Sequence, residues 1–133
     1  MIIGIGTDIV QIKRIALTRK RYGLKFVRRI LTPTEQTRLE TLSLSQQDAY
    51  LAKRYAAKEA LVKALGCGIG HLATWQEIEI LNNEKGAPVL TLSGQTANTL
   101  YTKFPQAQIH ISIADDLNAM AFVIIEDCSN HNK

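Results

Sequence analysis

The sequence has no apolar run approaching the roughly 18 residues of a membrane span, so no membrane insertion is expected. Its first residues, Met-Ile-Ile-Gly-Ile-Gly-Thr-Asp, lack the basic start and long apolar stretch of an export signal, and the expected compartment is the reducing cytoplasm. Cysteine is scarce. Cys67 and Cys128 form no C-x-x-C pair and no metal-spaced cluster with His71, His110 or His131, which argues for free thiols and against a zinc site. Aromatic residues make up only 6% of the 133 positions and none forms an evident stacking platform, which disfavours single-stranded nucleic acid as the ligand. No repeat, low-complexity tract or Pro/Gly/Ser-rich linker divides the chain, so one domain over residues 1–133 is expected.

Acidic residues are absent between Asp8 and Glu35. In that interval Lys13, Arg14, Arg19, Lys20, Arg21, Lys25, Arg28 and Arg29 supply half of all the basic side chains, and the remainder of the chain is close to neutral or acidic. A stretch of one sign steers an anionic partner, whether nucleic acid, lipid headgroups or an acidic protein.

Patterning predicts an α+β fold with an antiparallel sheet rather than a βαβ layer. Ile2 to Asp8 is β-branched and Gly-rich, a buried strand with close backbone approach at Gly4 and Gly6. A basic helix over about Val10 to Tyr22 ends at Gly23. Thr32-Pro33-Thr34-Glu35 is a capping box with proline at the first helical position. Ser45-x-x-Asp48 resembles a second helix start, opening a long helix that Gly66 stops in the left-handed conformation. On that helix Leu51, Tyr55, Leu61, Val62 and Leu65 are assigned to the core, and Lys53, Arg54 and Lys58 to its rim or to solvent. Strands are expected at Glu77 to Leu81 and Pro88 to Leu92, a short helix over Gln95 to Lys103, and a final hairpin of Ile109 to Ile113 with Ala119 to Ile125.

Three features can carry chemistry. Asp8 ends an apolar strand and serves either as a helix cap or as a ligand. Glu59 and Lys63 are four residues apart on one helical face, either a surface ion pair or a functional pair. Gly66-Cys67-Gly68-Ile69-Gly70 is either a helix C-cap with a turn or a nest of N–H groups for an anion. Taken together, two separated carboxylates suit magnesium, which is held by one or two carboxylates with phosphate oxygens and waters completing the octahedron. A lysine and a Gly-rich turn alongside them point to phosphoryl-type chemistry, driven by positioning and charge neutralisation.

The segments GIGTDIVQIKRI, FVRRILTPTE, AKRYAAKEALVKALGCGI, NNEKGAPVL and IHISIADDLNAMAFVIIE resemble, in order and from Met1 to Glu126, the blocks of the holo-acyl-carrier-protein synthases, the short trimeric bacterial class of the 4'-phosphopantetheinyl transferase superfamily. The resemblance implies the 4'-phosphopantetheinyl transferase fold, with an antiparallel sheet packed on a long central helix. It implies magnesium-dependent transfer of the 4'-phosphopantetheine arm of coenzyme A to a serine of apo acyl carrier protein, in support of fatty acid biosynthesis, with 3',5'-ADP released. By the same resemblance Asp8 and Glu59 are the metal ligands, and Lys63 stands close to the transferred phosphate. Gly66 and Gly68 form the turn against the coenzyme's phosphates, and Gly86 and Pro88 border the nucleotide. Arg14 and Arg21 meet the acidic helix of the carrier protein, and the active sites lie between subunits of a homotrimer. The base that deprotonates the serine is either Glu59 or a metal-activated water. The chain departs from the family pattern at Gln11, where many members have Glu, and at Ser112-Ile113-Ala114-Asp115, where many have a histidine at the last position. Asp115 is therefore kept out of the catalytic set. The competing readings are a basic nucleic-acid-binding module, a magnesium-dependent nucleotide phosphohydrolase, and an inactive relative that only binds the carrier.

Overall fold

The structure, a computed structural model, describes residues 1–129. Strand β1 (Ile2–Gln11) leads into four helices: α1 (Ile12–Tyr22), α2 (Leu24–Ile30), α3 (Pro33–Glu40) and α4 (Leu44–Leu65). A 3-10 turn at Trp75–Glu77 precedes the hairpin β2 (Ile78–Asn82) and β3 (Pro88–Leu92); α5 (Gly94–Tyr101), β4 (Ala107–Asp115) and β5 (Asn118–Asp127) follow. The strands form two antiparallel sheets, a three-stranded one in the order β1-β5-β4 and the β2-β3 hairpin. The fold is thus α+β, with α4 laid along β1 and β5.

Glycine and alanine set how closely that helix and sheet meet. A Cβ at Gly4 would overlap the Ala64 carbonyl, and one at Gly6 the Ala60 carbonyl. Ala56, Ala57, Ala60 and Ala64 are all buried on the facing stripe. The contact is therefore backbone against backbone, as the glycines of the first strand lead one to expect. On β5, Ala119, Ala121, Val123 and Ile125 turn inward, while Met120 and Phe122 alternate to the outside.

The Thr32 capping box forms in full: its hydroxyl accepts from the Glu35 amide and the Glu35 carboxylate accepts from the Thr32 amide. Gly23 and Gly66 end their helices at φ 64° and 79°. Some boundaries differ from the sequence pattern. Strand β1 continues past Asp8 to Gln11, because the segment pairs with β5 throughout. Helix α4 starts at Leu44 with Ser43, not Ser45, at its N-cap, and no side chain caps it. Arg54 and Lys58, assigned above to rim or solvent, are buried. Each has partners that remove the cost of burial: Arg54 donates to the Ile80 carbonyl and Asn82, and Lys58 donates to the Ile30 carbonyl, the Trp75 carbonyl and Glu35.

Candidate active site

Asp8 lies within β1 opposite Ala121 and caps no helix; Gln11 occupies the N-cap of α1. Its carboxylate is only 17% exposed and accepts from Lys63 Nζ at 3.1 Å, which also donates to the Thr7 carbonyl at 3.0 Å. The ion pair between Glu59 and Lys63 that helix spacing allows does not form. Lys63 reaches across to β1 instead, and Glu59 makes no hydrogen bond or ion pair with any described residue. Burial, reinforced by the Asp8 charge and opposed by Lys63, raises the Glu59 carboxyl above its ordinary value. Asp8 and Glu59 line one cleft of about 250 Å³, together with Arg14, Thr18, Phe26 and Tyr55.

This arrangement fits a hard divalent cation. Two partly buried carboxylates line one cleft, the nearby ammonium is bonded to Asp8 alone, and Glu59 has no partner among the described residues, so added positive charge would relieve both. No group of three or more His, Cys, Asp or Glu stands together among the described residues. An all-protein cage is thus absent, and two carboxylates plus ligand oxygens is the pattern magnesium adopts. His131 lies outside the described residues.

Past the helix, Gly66 closes a Schellman motif: its amide donates to the Lys63 carbonyl and the Cys67 amide to the Val62 carbonyl. Two N–H groups of the Gly-rich turn are therefore occupied in ending α4. Gly68, at the same end of the helix, is exposed, and its amide donates to no described residue.

Gly86 and Pro88 stand elsewhere. Gly86 closes the β2-β3 turn at φ 82° and Pro88 opens β3. They line a second, strongly polar cavity of about 620 Å³ with Arg38, Lys53, Arg54 and Asp115. That cavity shares no lining residue with the Asp8–Glu59 cleft. Asp115 ends β4 and pairs with Lys53 at 3.7 Å. Arg14 faces the Asp8–Glu59 cleft from α1. Arg21 is exposed at the far end of that helix, over the Tyr22 ring at 5.3 Å. Gln11 falls on the exposed side of β1 with Thr7 and Ile9, whereas Asp8 and Val10 alternate to the other side.

Two features escape sequence reasoning. One is the buried ionic hub. Glu35 accepts from Lys58 at 2.7 Å, and both side chains are fully buried. It also accepts from the Thr32 and Ile80 amides. Desolvation lowers the Lys58 pKa, with Glu35 opposing. The other is the second role of Tyr55, which packs against the core as its spacing predicts and also forms a wall of the carboxylate cleft, its ring stacked 5.2 Å from that of Trp75.

Comparison with known proteins identifies the family. The family model described as the 4'-phosphopantetheinyl transferase superfamily matches residues 4–118. The holo-[acyl-carrier-protein] synthase of Vibrio cholerae serotype O1 is 48% identical over 128 residues, covering 95% of this chain and 98% of that protein. The crystal structure of holo-[acyl-carrier-protein] synthase from Neisseria meningitidis superposes with a TM-score of 0.87 at 36% identity, covering 95% and 99% of the two chains. That of the Bacillus anthracis synthase, in complex with CoA (3',5'-ADP), gives 0.81 at 35% identity, covering 96% and 98%. With the match extending across both sheets and the helix that joins Glu59 to Lys63, the chain belongs to the holo-[acyl-carrier-protein] synthases of the 4'-phosphopantetheinyl transferase superfamily.

Proposed function

We propose that this chain transfers the 4'-phosphopantetheine group of coenzyme A to a serine of apo acyl carrier protein, releasing 3',5'-ADP, in the cytoplasm and in support of fatty acid biosynthesis. The observation that carries the reading is the unpartnered, half-buried Glu59 facing Asp8 in one cleft, with Lys63 one turn further along α4. Asp8 and Glu59 would hold a magnesium ion, which would supply positive charge to neutralise the coenzyme's pyrophosphate. Lys63 trades its hydrogen bonds to β1 for a phosphate oxygen, and the Gly66–Gly68 turn lies against the phosphates. The serine oxygen, its proton passing to Glu59 or to water, forms a bond to the β-phosphorus as the bond from that phosphorus to the bridging oxygen breaks and 3',5'-ADP leaves with that oxygen. Arg14 and Arg21 meet the acidic surface of the carrier, in keeping with a basic segment that contains no acidic residue from Lys13 to Arg29.

The working unit is a homotrimer with sites between subunits. Two observations support it. On the sheet face turned away from α4, Ile5, Ile9, Met120 and Phe122 are 41–61% exposed, an apolar patch of the kind that marks an interface. Gly86 and Pro88, which border the nucleotide, are separated in one chain from the carboxylate cleft and need a neighbour to meet it. Mass spectrometry of apo carrier with coenzyme A and magnesium tests the activity: a gain of about 340 Da marks the transferred arm, the sum of its covalent chemistry. No gain with any apo carrier, or release of inorganic phosphate without carrier, would refute it.

A further inference from the structure

Asp8 is a wall between two cavities. On one side lies the 250 Å³ cleft with Glu59, Tyr55, Arg14 and Thr18. On the other lies a cavity of about 620 Å³ that holds Lys63 with Thr7, Ser112 and Phe122. Phosphoryl-type transfer keeps the attacking and leaving oxygens in line on opposite sides of phosphorus. If Lys63 takes the phosphate from the larger cavity, as in the function proposed above, in-line attack brings the nucleophile through the cleft beyond Asp8. Its outer walls, Arg14, Thr18 and Phe26, belong to the basic helices α1 and α2.

Within that cleft Tyr55 stands four residues before Glu59, on the same face of α4. Its ring is fixed against Trp75, whose carbonyl is held in turn by the buried Lys58. Its hydroxyl makes no hydrogen bond with any described residue. We infer that the Tyr55 hydroxyl is a catalytic group of the acceptor side, hydrogen-bonded to the attacking serine oxygen and aiming it past Glu59 at the phosphorus. The inference rests on the transfer reading above. The phenol acts as a hydrogen-bond partner and not as a base, since its partial burial favours the protonated form.

Tyr55→Phe removes the hydroxyl and leaves the ring on Trp75. The loss of one aimed hydrogen bond is expected to lower kcat about tenfold at saturating coenzyme A and magnesium. Coenzyme A affinity, measured by titration calorimetry with magnesium present, and the thermal midpoint should stay at the wild-type values. Turnover within twofold of wild type would overturn the assignment. So would a fall in coenzyme A affinity as large as the fall in kcat, which would put Tyr55 on the donor side, or a drop in thermal midpoint that accounts for the lost activity. Absence of product from the wild-type enzyme would instead remove the transfer reading on which the inference stands.

Discussion

Lys58 and Glu59 are adjacent on α4, yet the helix turns them about 100° apart into opposite circumstances. Lys58 is fully buried and has three acceptors: Glu35 and two backbone carbonyls. Through them the end of α2, the start of α3, the 3-10 turn and β2 are tied to the helix. Glu59 is half-buried, has no partner among the described residues and lines a cleft with a second carboxylate. A satisfied buried charge locks structure. An unsatisfied one beside a like charge is held ready for something that arrives later. The difference teaches that burial alone does not mark a charge as structural; the count of its partners among the described residues sets Lys58 apart from Glu59.

The largest expected effect comes from unbalancing the satisfied cluster. Lys58→Met leaves the Glu35 carboxylate buried without its cation and should cost about 3–5 kcal/mol of stability in urea unfolding. A loss below about 1 kcal/mol would mean that the hub does not lock the fold. The neighbouring change acts the other way round. Glu59→Gln removes a charge that burial and Asp8 disfavour and Lys63 only partly offsets, so the urea midpoint should hold or rise slightly. Transfer of the phosphopantetheine arm should fall by about 100-fold or more, followed by mass spectrometry. Wild-type turnover in that variant would take Glu59 out of the metal site and erase the contrast.

The contrast also depends on how near β1 comes to α4, since that spacing brings Asp8 to Glu59. Gly6→Ala puts a methyl group into the Ala60 carbonyl. Overpacking of this kind costs about 1–3 kcal/mol. Because the strand must back away from the helix, the variant should also need more magnesium for half-maximal activity, a shift visible in a metal titration of the folded protein. An unchanged titration would show that the two carboxylates do not depend on the glycine contact.

Much of this was legible in the sequence, and the part that was not has a common cause. The capping box at Thr32, the stops at Gly23 and Gly66, and the close approach at Gly4 and Gly6 follow from local chemistry, and each stands as expected. The extents of α4's core and of β1 do not, because they depend on what packs against them. Lys58 and Arg54 have the spacing of rim residues; only the carbonyls of Ile30, Trp75 and Ile80, distant in sequence, make their burial tolerable. Glu35 was visible as a cap and invisible as a hub for the same reason. At the candidate site, the sequence singled out Asp8, Glu59 and Lys63, which the structure brings near one another, but allowed a pairing that does not form, since helical spacing shows Glu59 beside Lys63 and says nothing of Thr7 and Asp8 across the strand. Tyr55 carried the signal of its place in its spacing from Glu59, four residues, yet the same spacing serves a core residue equally well.

A third carboxylate sharpens the comparison with the smallest effect. Glu77 is a glutamate like Glu59 with the opposite shift. It accepts from the Thr96 hydroxyl at 2.8 Å, from the Thr96 amide at 3.0 Å and from the Gln95 amide at 3.2 Å, and so caps α5, whose own N-cap Ser93 makes no side-chain bond. The Thr96 hydroxyl first, and then its amide, hold the Glu77 carboxyl below the ordinary glutamate value of 4.5. A depressed pKa in the folded state means that the ionised form stabilises the fold. That contribution is present in full above about pH 4.5 and is lost as the pH falls through the lowered value. Glu77→Gln should therefore be less stable than the parent by about 1 kcal/mol at pH 7, the size of a lost cap. The gap should close on acidification, because the parent loses what the variant never had. A gap that stays constant from pH 7 to strongly acidic conditions would show that the amide bonds to α5 do not depend on the charge. Glu77 would then no longer stand as the satisfied, ionised counterpart against which the bare carboxylate of Glu59 is judged.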